Sequence, residues 1–288
     1  MQKLIALFGP TASGKTDIAV RLAQKFNGYI ISADSRQMYL EFTIGTSKPL
    51  DYPHYFVDFL NPQETYSAGE FKHDVLRLIQ EKKGLPILVG GTPLYVSTLT
   101  QNLTIPPAEP DYALREKLDA TPLEELVSQL SEIDPKSLTF IDIKNKRRVI
   151  RALEVHAVTG VPFSQQRKKS PPLYSLLPLF LNPPLDELQK RISQRTSLML
   201  SHGLIDEVRE LRTKYPSTSP PFSSIGYKEV VSFLEGTLPQ ENLEAKICHE
   251  TLAYAKRQIA WFKKENGNEI QTYKDAEALV SQFINNET

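Results

Sequence analysis

The chain reads as an α/β protein, a largely parallel sheet with helices on its faces, into which an all-helical segment has been inserted. Three observations predict this. Short apolar runs alternate with helical periodicities over the first hundred residues. From about Asp111 to Gln166 that alternation gives way to helical patterns alone. A strand-like run then returns at Leu176–Leu181. Strands that alternate with helices imply parallel pairing, because each crossover returns the chain through a helix packed on the sheet.

Taken in order, Leu4–Phe8 is an apolar run that stops at Gly9 and predicts a strand. Ile18, Leu22 and Phe26 recur every four residues, so Asp17–Phe26 predicts a helix with one apolar face. Tyr29–Ala33 predicts a second strand, ending at Asp34. Phe71, Val75, Leu78 and Ile79 mark a helix from about Ala68 to Lys82, and Pro86–Val89 a buried strand that runs into Gly90-Gly91-Thr92. Ile105-Pro106-Pro107-Ala108-Glu109-Pro110 is a proline-rich joint, and Pro171-Pro172 a second one. The expected division is therefore a core over 1–106, a helical insertion over 107–172, and the rest of the core over 173–288. That last part holds the Leu176–Leu181 strand, despite Pro178, and then helices at Asp186–Ser201, Ile205–Lys214, Tyr227–Glu235, Leu243–Lys264 and Asp275–Asn285.

Of the 288 residues, 40% are hydrophobic and 24% charged, the balance of an ordinary globular chain large enough to bury a core without staples. Cys248 is the only cysteine, which excludes an intramolecular disulfide and a cysteine-rich zinc site and leaves a buried, inert thiol as its expected role. Thirty-four basic side chains balance 34 acidic ones, whereas dedicated nucleic-acid binders are usually basic, so an RNA partner must rest on local clusters. The apolar start, Leu4–Phe8, is too short for the core of a secretion signal, and no stretch approaches the ~20 apolar residues of a membrane span. A cytoplasmic protein without membrane association is expected.

Gly9-Pro10-Thr11-Ala12-Ser13-Gly14-Lys15-Thr16 fits G-x-x-x-x-G-K-[ST], with a strand before it and a helix after. This places the predicted core in the P-loop NTPase-like class. The glycines let the loop curl so that backbone N–H groups and the helix N-terminus converge on an anion. Lys15 adds a point charge, and the Thr16 hydroxyl is placed to ligate Mg²⁺, a cation that keeps most of its waters. The motif does not name a reaction. Kinases and ATPases place a metal-holding carboxylate at a neighbouring strand end. The Pro86–Val89 strand ends in Gly-Gly-Thr instead, leaving Asp58 and Asp34. A phosphate-binding enzyme that is not a phosphoryl transferase is thus permitted.

Ligands of open parallel sheets bind beyond the C-terminal strand ends. The P-loop, Asp34 and Gly91-Thr92 all fall on that edge. Asp34 could take a proton from an incoming nucleophile or simply cap the turn after its strand. Gln37 carries donor and acceptor together and could pair with a base edge, or sit on the surface. Arg191 and Arg195 lie one turn apart and could clamp a pyrophosphate; from the residues alone a solvated face with Glu187 paired to Arg191 is preferred. Basic residues gather at Lys144–Arg151, at Arg167-Lys168-Lys169, and among aromatics at Lys256–Lys264. Phosphate backbones attract such patches, although single charge runs are usually solvated faces.

These residues resemble those of the tRNA dimethylallyltransferase (tRNA isopentenyltransferase) family, in its bacterial form. The resemblance rests on the P-loop and on Asp34-Ser-Arg-Gln-Met-Tyr39, Gly45-Thr-Ser-Lys-Pro49, Pro53-His54 with Asp58, and Tyr66-Ser-Ala with Phe71. It continues through Gly90-Gly-Thr-Pro-Leu-Tyr95, Arg151-Ala-Leu-Glu154, Ile225-Gly-Tyr-Lys-Glu229 and Ala255-Lys-Arg-Gln258 with Trp261. It implies transfer of a dimethylallyl group from dimethylallyl diphosphate, with Mg²⁺, to N6 of the adenine at tRNA position 37, beside the anticodon. The implied partner is the tRNA anticodon stem-loop, gripped by the helical insertion, and the implied state a monomer. Gly9, Pro10, Thr11, Ala12, Ser13, Gly14, Lys15, Thr16 and Arg195 correspond to diphosphate-binding positions. Asp34 corresponds to the base on N6, with Lys15, Thr16, Thr92 and Arg195 completing the catalytic set. Implied tRNA contacts are Asp34, Ser35, Arg36, Gln37, Thr92, Arg115, Arg147, Arg148, Val149, Ile150 and Arg151, then Ser223, Ser224, Ile225, Gly226, Tyr227 and Lys228, then Lys256, Arg257 and Gln258. The chain departs from the family pattern at Ile143-Lys144-Asn145, Leu185 and Leu252, positions toward tRNA rather than the donor. Three other functions remain open at this stage: a small-molecule P-loop kinase, which would transfer the γ-phosphate of ATP; an adenylate prenyltransferase, which would take free AMP; and an RNA-binding module, which would need neither Asp34 nor the P-loop.

Overall fold

A computed structural model of the chain describes residues 1–49, 51–166 and 170–286, so the Arg167-Lys168-Lys169 patch lies outside the described residues. It divides into two compact units, one formed by Met1–Thr100 with Pro172–Thr288, the other by Gln101–Pro171. The first stretch carries β1 (Lys3–Phe8), α1 (Lys15–Lys25), β2 (Gly28–Ser32), β3 (His54–Tyr55), α2 (Ala68–Glu81), β4 (Leu85–Gly90) and α3 (Pro93–Thr100). The second unit holds α4 (Tyr112–Ala120), α5 (Leu123–Ile133), α6 (Lys146–Thr159) and α7 (Phe163–Gln166). The chain then returns with β5 (Ser175–Leu181), α8 (Leu185–Ser201), α9 (Leu204–Lys214), α10 (Tyr227–Leu234), α11 (Gln240–Phe262), β6 (Asn268–Ile270) and α12 (Tyr273–Asn285).

The larger unit is built on one six-stranded sheet in the order β3-β2-β4-β1-β5-β6, every neighbouring pair parallel. With helices on both faces, this is the α/β, P-loop NTPase-like architecture. β1 is central, and Leu4 to Phe8 are fully buried. Alternate residues serve opposite faces, as a pleated strand requires. Leu4, Ala6 and Phe8 join a core with Phe71, Leu88 and Phe262, whereas Ile5 and Leu7 join one with Leu22, Ile87 and Leu179. Strands sandwiched in this way have no polar face, which is why their sequences read as continuous apolar runs.

Local chemistry sets the helix ends. Ser67 and Glu70 form a capping box that starts α2, and Thr272 with Asp275 does the same for α12. Gly14, at φ 92°, turns the chain directly into α1, so that helix begins at Lys15, ahead of the expected Asp17. Pro178 is accommodated inside β5 because β6 pairs only from Leu179 onward. The Pro178 carbonyl, on the β6 side, accepts from the Asn268 side chain at 3.0 Å, so the missing N–H falls where no ladder partner is required. Three elements were not anticipated: β3 has two residues, β6 is mostly polar, and α3 is apolar without a helical period.

The smaller unit packs Leu118, Leu126, Leu130, Val149, Ile150, Ala152 and Leu153 into its own core. This corrects the reading of Val149 as a tRNA contact: at 0% exposure its side chain faces inward on α6, because the apolar stripe of that helix closes the unit, whereas Ile150, 6% exposed, also borders the cavity lined by Arg115, Arg147 and Arg151.

Phe8 stacks on Phe262 at 4.9 Å and on Phe180 at 5.9 Å, tying β1 to β5 and α11. Phe8→Ala should lower unfolding free energy by ~3–5 kcal/mol in urea titrations, the range for emptying a buried aromatic site; a loss under ~1 kcal/mol would show that this stack does not anchor the sheet.

Candidate active site at the strand ends

The turn from β1 into α1 is residues 9–14. A Cβ at Gly9 would sit 2.2 Å from the Leu181 carbonyl oxygen, so only glycine lets the loop leave the sheet beside β5. The loop is closed on itself: the Lys15 ammonium donates to the Pro10 carbonyl at 2.6 Å and to the Ser13 hydroxyl at 3.3 Å. Three side chains brace it from outside. Arg195 donates to the Thr11 hydroxyl at 2.9 Å, Arg191 donates to the Ser13 carbonyl at 2.7 Å, and Gln258 accepts from the Thr11 N–H at 2.8 Å.

The neighbouring strands supply the facing edge. Asp34 follows β2, and its Oδ1 accepts from the Arg36 N–H at 2.9 Å, leaving its other oxygen for a ligand. Thr92, after β4, accepts from the Ser35 N–H at 2.9 Å while its own N–H donates to the Ala33 carbonyl at 3.1 Å. Gln37 donates to the carbonyls of Thr46 and Ser47 at 3.2 and 3.0 Å. Glu207 holds that last loop by accepting from the Ile44 N–H at 2.8 Å and from Tyr227 Oη at 2.5 Å.

Cradle and edge line one cavity of about 770 Å³, which brings together residues 11–16, residues 34–37, Arg191, Arg195, residues 223–226, Lys228, Arg257 and Gln258. Thr92 stands just behind it, holding Ser35. Burial pulls the Lys15 ammonium from its ordinary 10.5 down to about 7, the Asp34 carboxylate acting against that and Arg195 adding to it. Burial likewise lowers Arg195, again opposed by Asp34. The buried Arg195 Nε has no hydrogen-bond partner among the described residues. Two crowded basic side chains and an unpaired buried donor beside a curled loop are what an anion would satisfy.

Several residues fall elsewhere. Tyr227 is fully buried, its hydroxyl engaged by Glu207 and the Gly45 N–H, so its side chain is packing and not an RNA contact as expected. Gln258 is 2% exposed with both ends of its amide bonded internally, which removes it from the RNA-facing set for the same reason. Lys256 is exposed on α11 outside the cavity. Asp58, considered as a metal carboxylate, is instead ion-paired with the buried Lys48. The sequence reading weighs Arg191 as a clamp beside Arg195 and sets it aside for a solvated face. It does pair with Glu187, as the preferred reading had it, yet it also holds the P-loop; its spacing one turn from Arg195 was the available signal. In the smaller unit Arg115, Arg147 and Arg151 border a second cavity of about 510 Å³, and Arg148 is exposed. Arg115 and Arg151 both bond the fully buried Glu154, at 2.8 and 2.6 Å. Burial pushes the Glu154 carboxyl up, but the hydrogen bonds from Arg115 and Arg151 outweigh it and hold it below its ordinary range.

Sheet order, P-loop and facing carboxylate define a P-loop protein with a cavity in which the curled basic loop faces Asp34. The comparisons with known proteins then narrow the class. Residues 37–265 match the family described as IPP transferase, and residues 2–53 match isopentenyl transferase. The chain is 40% identical over 267 residues to a tRNA dimethylallyltransferase of Rippkaea orientalis, covering 90% of this chain and 89% of that one. The crystal structure of the tRNA isopentenylpyrophosphate transferase of Bacillus halodurans superposes with a TM-score of 0.72 at 34% identity, over 99% of this chain and 96% of that one. A eukaryotic dimethylallyltransferase, captured acting on tRNA, superposes with a TM-score of 0.84 at 26% identity, over 100% of this chain and 81% of that one. The chain belongs to the IPP transferase family.

Because burial leaves Lys15 largely neutral above about pH 7 and an anion favours its charged form, anion binding should take up a proton. Calorimetry with dimethylallyl diphosphate near pH ~8.5, in buffers of different ionisation enthalpy, is expected to give uptake approaching one proton, lost in Lys15→Met. For the same reason the unfolded chain holds this proton between about pH 7 and 10.5 while the folded one does not, so this group makes stability rise with pH across that window.

Proposed function

We infer that the chain transfers a dimethylallyl group from dimethylallyl diphosphate to N6 of the adenine at tRNA position 37, next to the anticodon, releasing diphosphate. Alongside family membership, the observation that carries this reading is the single cavity in which an anion cradle faces Asp34. The donor's diphosphate lies on residues 9–16 with Arg195 on its flank, and Arg191 fixes the loop. The adenine is unreachable while stacked, so it is flipped out of the anticodon loop toward Asp34. The N6 lone pair forms the C–N bond to the allylic carbon as the C–O bond breaks, and the electron pair leaves with diphosphate. The N6 proton passes to Asp34. Lys15 and Arg195 stabilise the charge that grows on the leaving oxygens.

The donor set suits Mg²⁺ held mainly by the substrate. Among the described residues no group of three or more His, Cys, Asp or Glu is gathered around a metal position. The Thr16 hydroxyl lines the cavity beside Lys15, and a cation that prefers phosphate oxygens, water and one or two protein oxygens fits it. Bound there with the donor, Mg²⁺ supplies neutralising charge to the diphosphate.

For the RNA partner we propose the helical insertion, residues 107–172, with Arg115, Arg147, Arg148 and Arg151 on the stem-loop backbone and the exposed Lys256 and Arg257 as further basic contacts. Ser35, Arg36, Gln37, residues 223–226 and Lys228 border the cavity and serve the bases near position 37, with one copy of the chain per tRNA. Among the described residues no helix is long and apolar enough to cross a membrane.

Incubation with Mg²⁺, radiolabelled dimethylallyl diphosphate and unmodified tRNA should label the tRNA and leave AMP and ATP controls untouched. Label in AMP would redirect the acceptor to free adenylate, and ATP consumption would mean a kinase. Asp34→Ala should cut turnover at least ~10²-fold, the scale of a lost general base; near-normal turnover would remove Asp34 from that role.

A further inference from the structure

Gln258 is a buried side chain with a defined electrical polarity. Its Oε1 accepts from the Thr11 N–H at 2.8 Å, inside the P-loop, and its Nε2 donates to the Gly91 carbonyl at 2.6 Å, at the end of β4. The two partners lie on neighbouring loops that both line the cavity, one after β1 and one after β4. Thr11 takes the Arg195 guanidinium on its hydroxyl, at 2.9 Å. Gly91 precedes Thr92, which holds Ser35 beside Asp34 through a 2.9 Å hydrogen bond. Tyr254, one turn earlier on α11, also donates to the Gly91 carbonyl, at 3.4 Å. Contact is close enough that a Cβ at Gly91 would lie 2.5 Å from Gln258 Nε2. A backbone N–H can only donate and a carbonyl can only accept, so the bridging group must present an acceptor on the P-loop side and a donor on the β4 side. Among side chains of this length, the neutral amide does both.

We propose that Gln258 is a positioning residue for prenyl transfer: its amide sets the spacing between the diphosphate cradle and the Asp34–Thr92 edge, and so between donor carbon and acceptor nitrogen, without touching RNA. This rests on the transfer reading above. Misplacing reactants by as little as about 1 Å costs up to ~10²-fold in rate.

Two variants test it. Q258M keeps the volume and loses both hydrogen bonds; with donor and tRNA saturating, kcat should fall at least roughly tenfold, while tRNA affinity measured without donor stays within about twofold of wild type. In Q258E the carboxylate opposes the Gly91 carbonyl, but its protonated form restores acceptor and donor together. The ratio of Q258E to wild-type kcat should therefore start at least roughly tenfold down near pH ~8 and climb toward one as pH falls to ~6. If Q258M melts below the assay temperature, the Q258E profile decides alone. A Q258M kcat within twofold of wild type overturns the proposal, as does a tRNA affinity loss with unchanged kcat, which would make Gln258 an RNA contact. A Q258E ratio that stays flat with pH overturns it too, leaving only a packing role. Absence of labelled tRNA from wild-type protein would instead overturn the transfer reading itself.

Discussion

The complete burial of β1 between β4 and β5 organises everything else in the larger unit. Its register puts Phe8 beside both Gly90 and Phe180, so the three central strands finish at one level. The loop after β1, the Gly91-Thr92 turn after β4 and the polar run after β2 must therefore emerge along the same edge. Glycine is required where these meet. A Cβ at Gly90 would fall 2.2 Å from the Ala33 carbonyl oxygen, as close as the corresponding approach of Gly9 to Leu181. The site is a consequence of strand order and close backbone packing before any charged residue is considered.

On that frame the chain assembles a site whose charges its own residues do not balance. Burial lowers both Lys15 and Arg195, and the Asp34 carboxylate does not compensate for it. Such an arrangement is costly for the protein alone and is relieved by an anion. Asp34 takes the Arg36 N–H on one carboxylate oxygen.

The smaller unit uses another device for charge. Glu154, with no solvent exposure, accepts from two arginines and from the Asp111 N–H at 2.9 Å. The buried carboxylate fixes both guanidinium groups within the folded unit, Arg115 through Nε and Nη2 and Arg151 through Nη1. The neutral net charge of the protein thus conceals two concentrated basic regions, one inside the larger unit and one on the smaller.

The strand–helix alternation of the core, the P-loop with its flanking elements, the Asp34–Gln37 run and the family are legible in the order of residues, because these are local: contiguous residues with a period or a fixed spacing. The rest depends on packing between distant segments. Tyr227 and Gln258 stand in motifs that read as RNA-facing, yet packing turns both inward, since α10 and α11 each present one face to the core and these residues lie on it. Arg191 lay in plain view one turn from Arg195, but its hold on Ser13 joins residues 178 positions apart, a separation no periodicity encodes. Short elements such as β3 and β6 form only because a neighbouring strand edge offers them hydrogen bonds. What a residue touches across the sheet depends on strand order and register, and those are settled only when the whole core closes around β1.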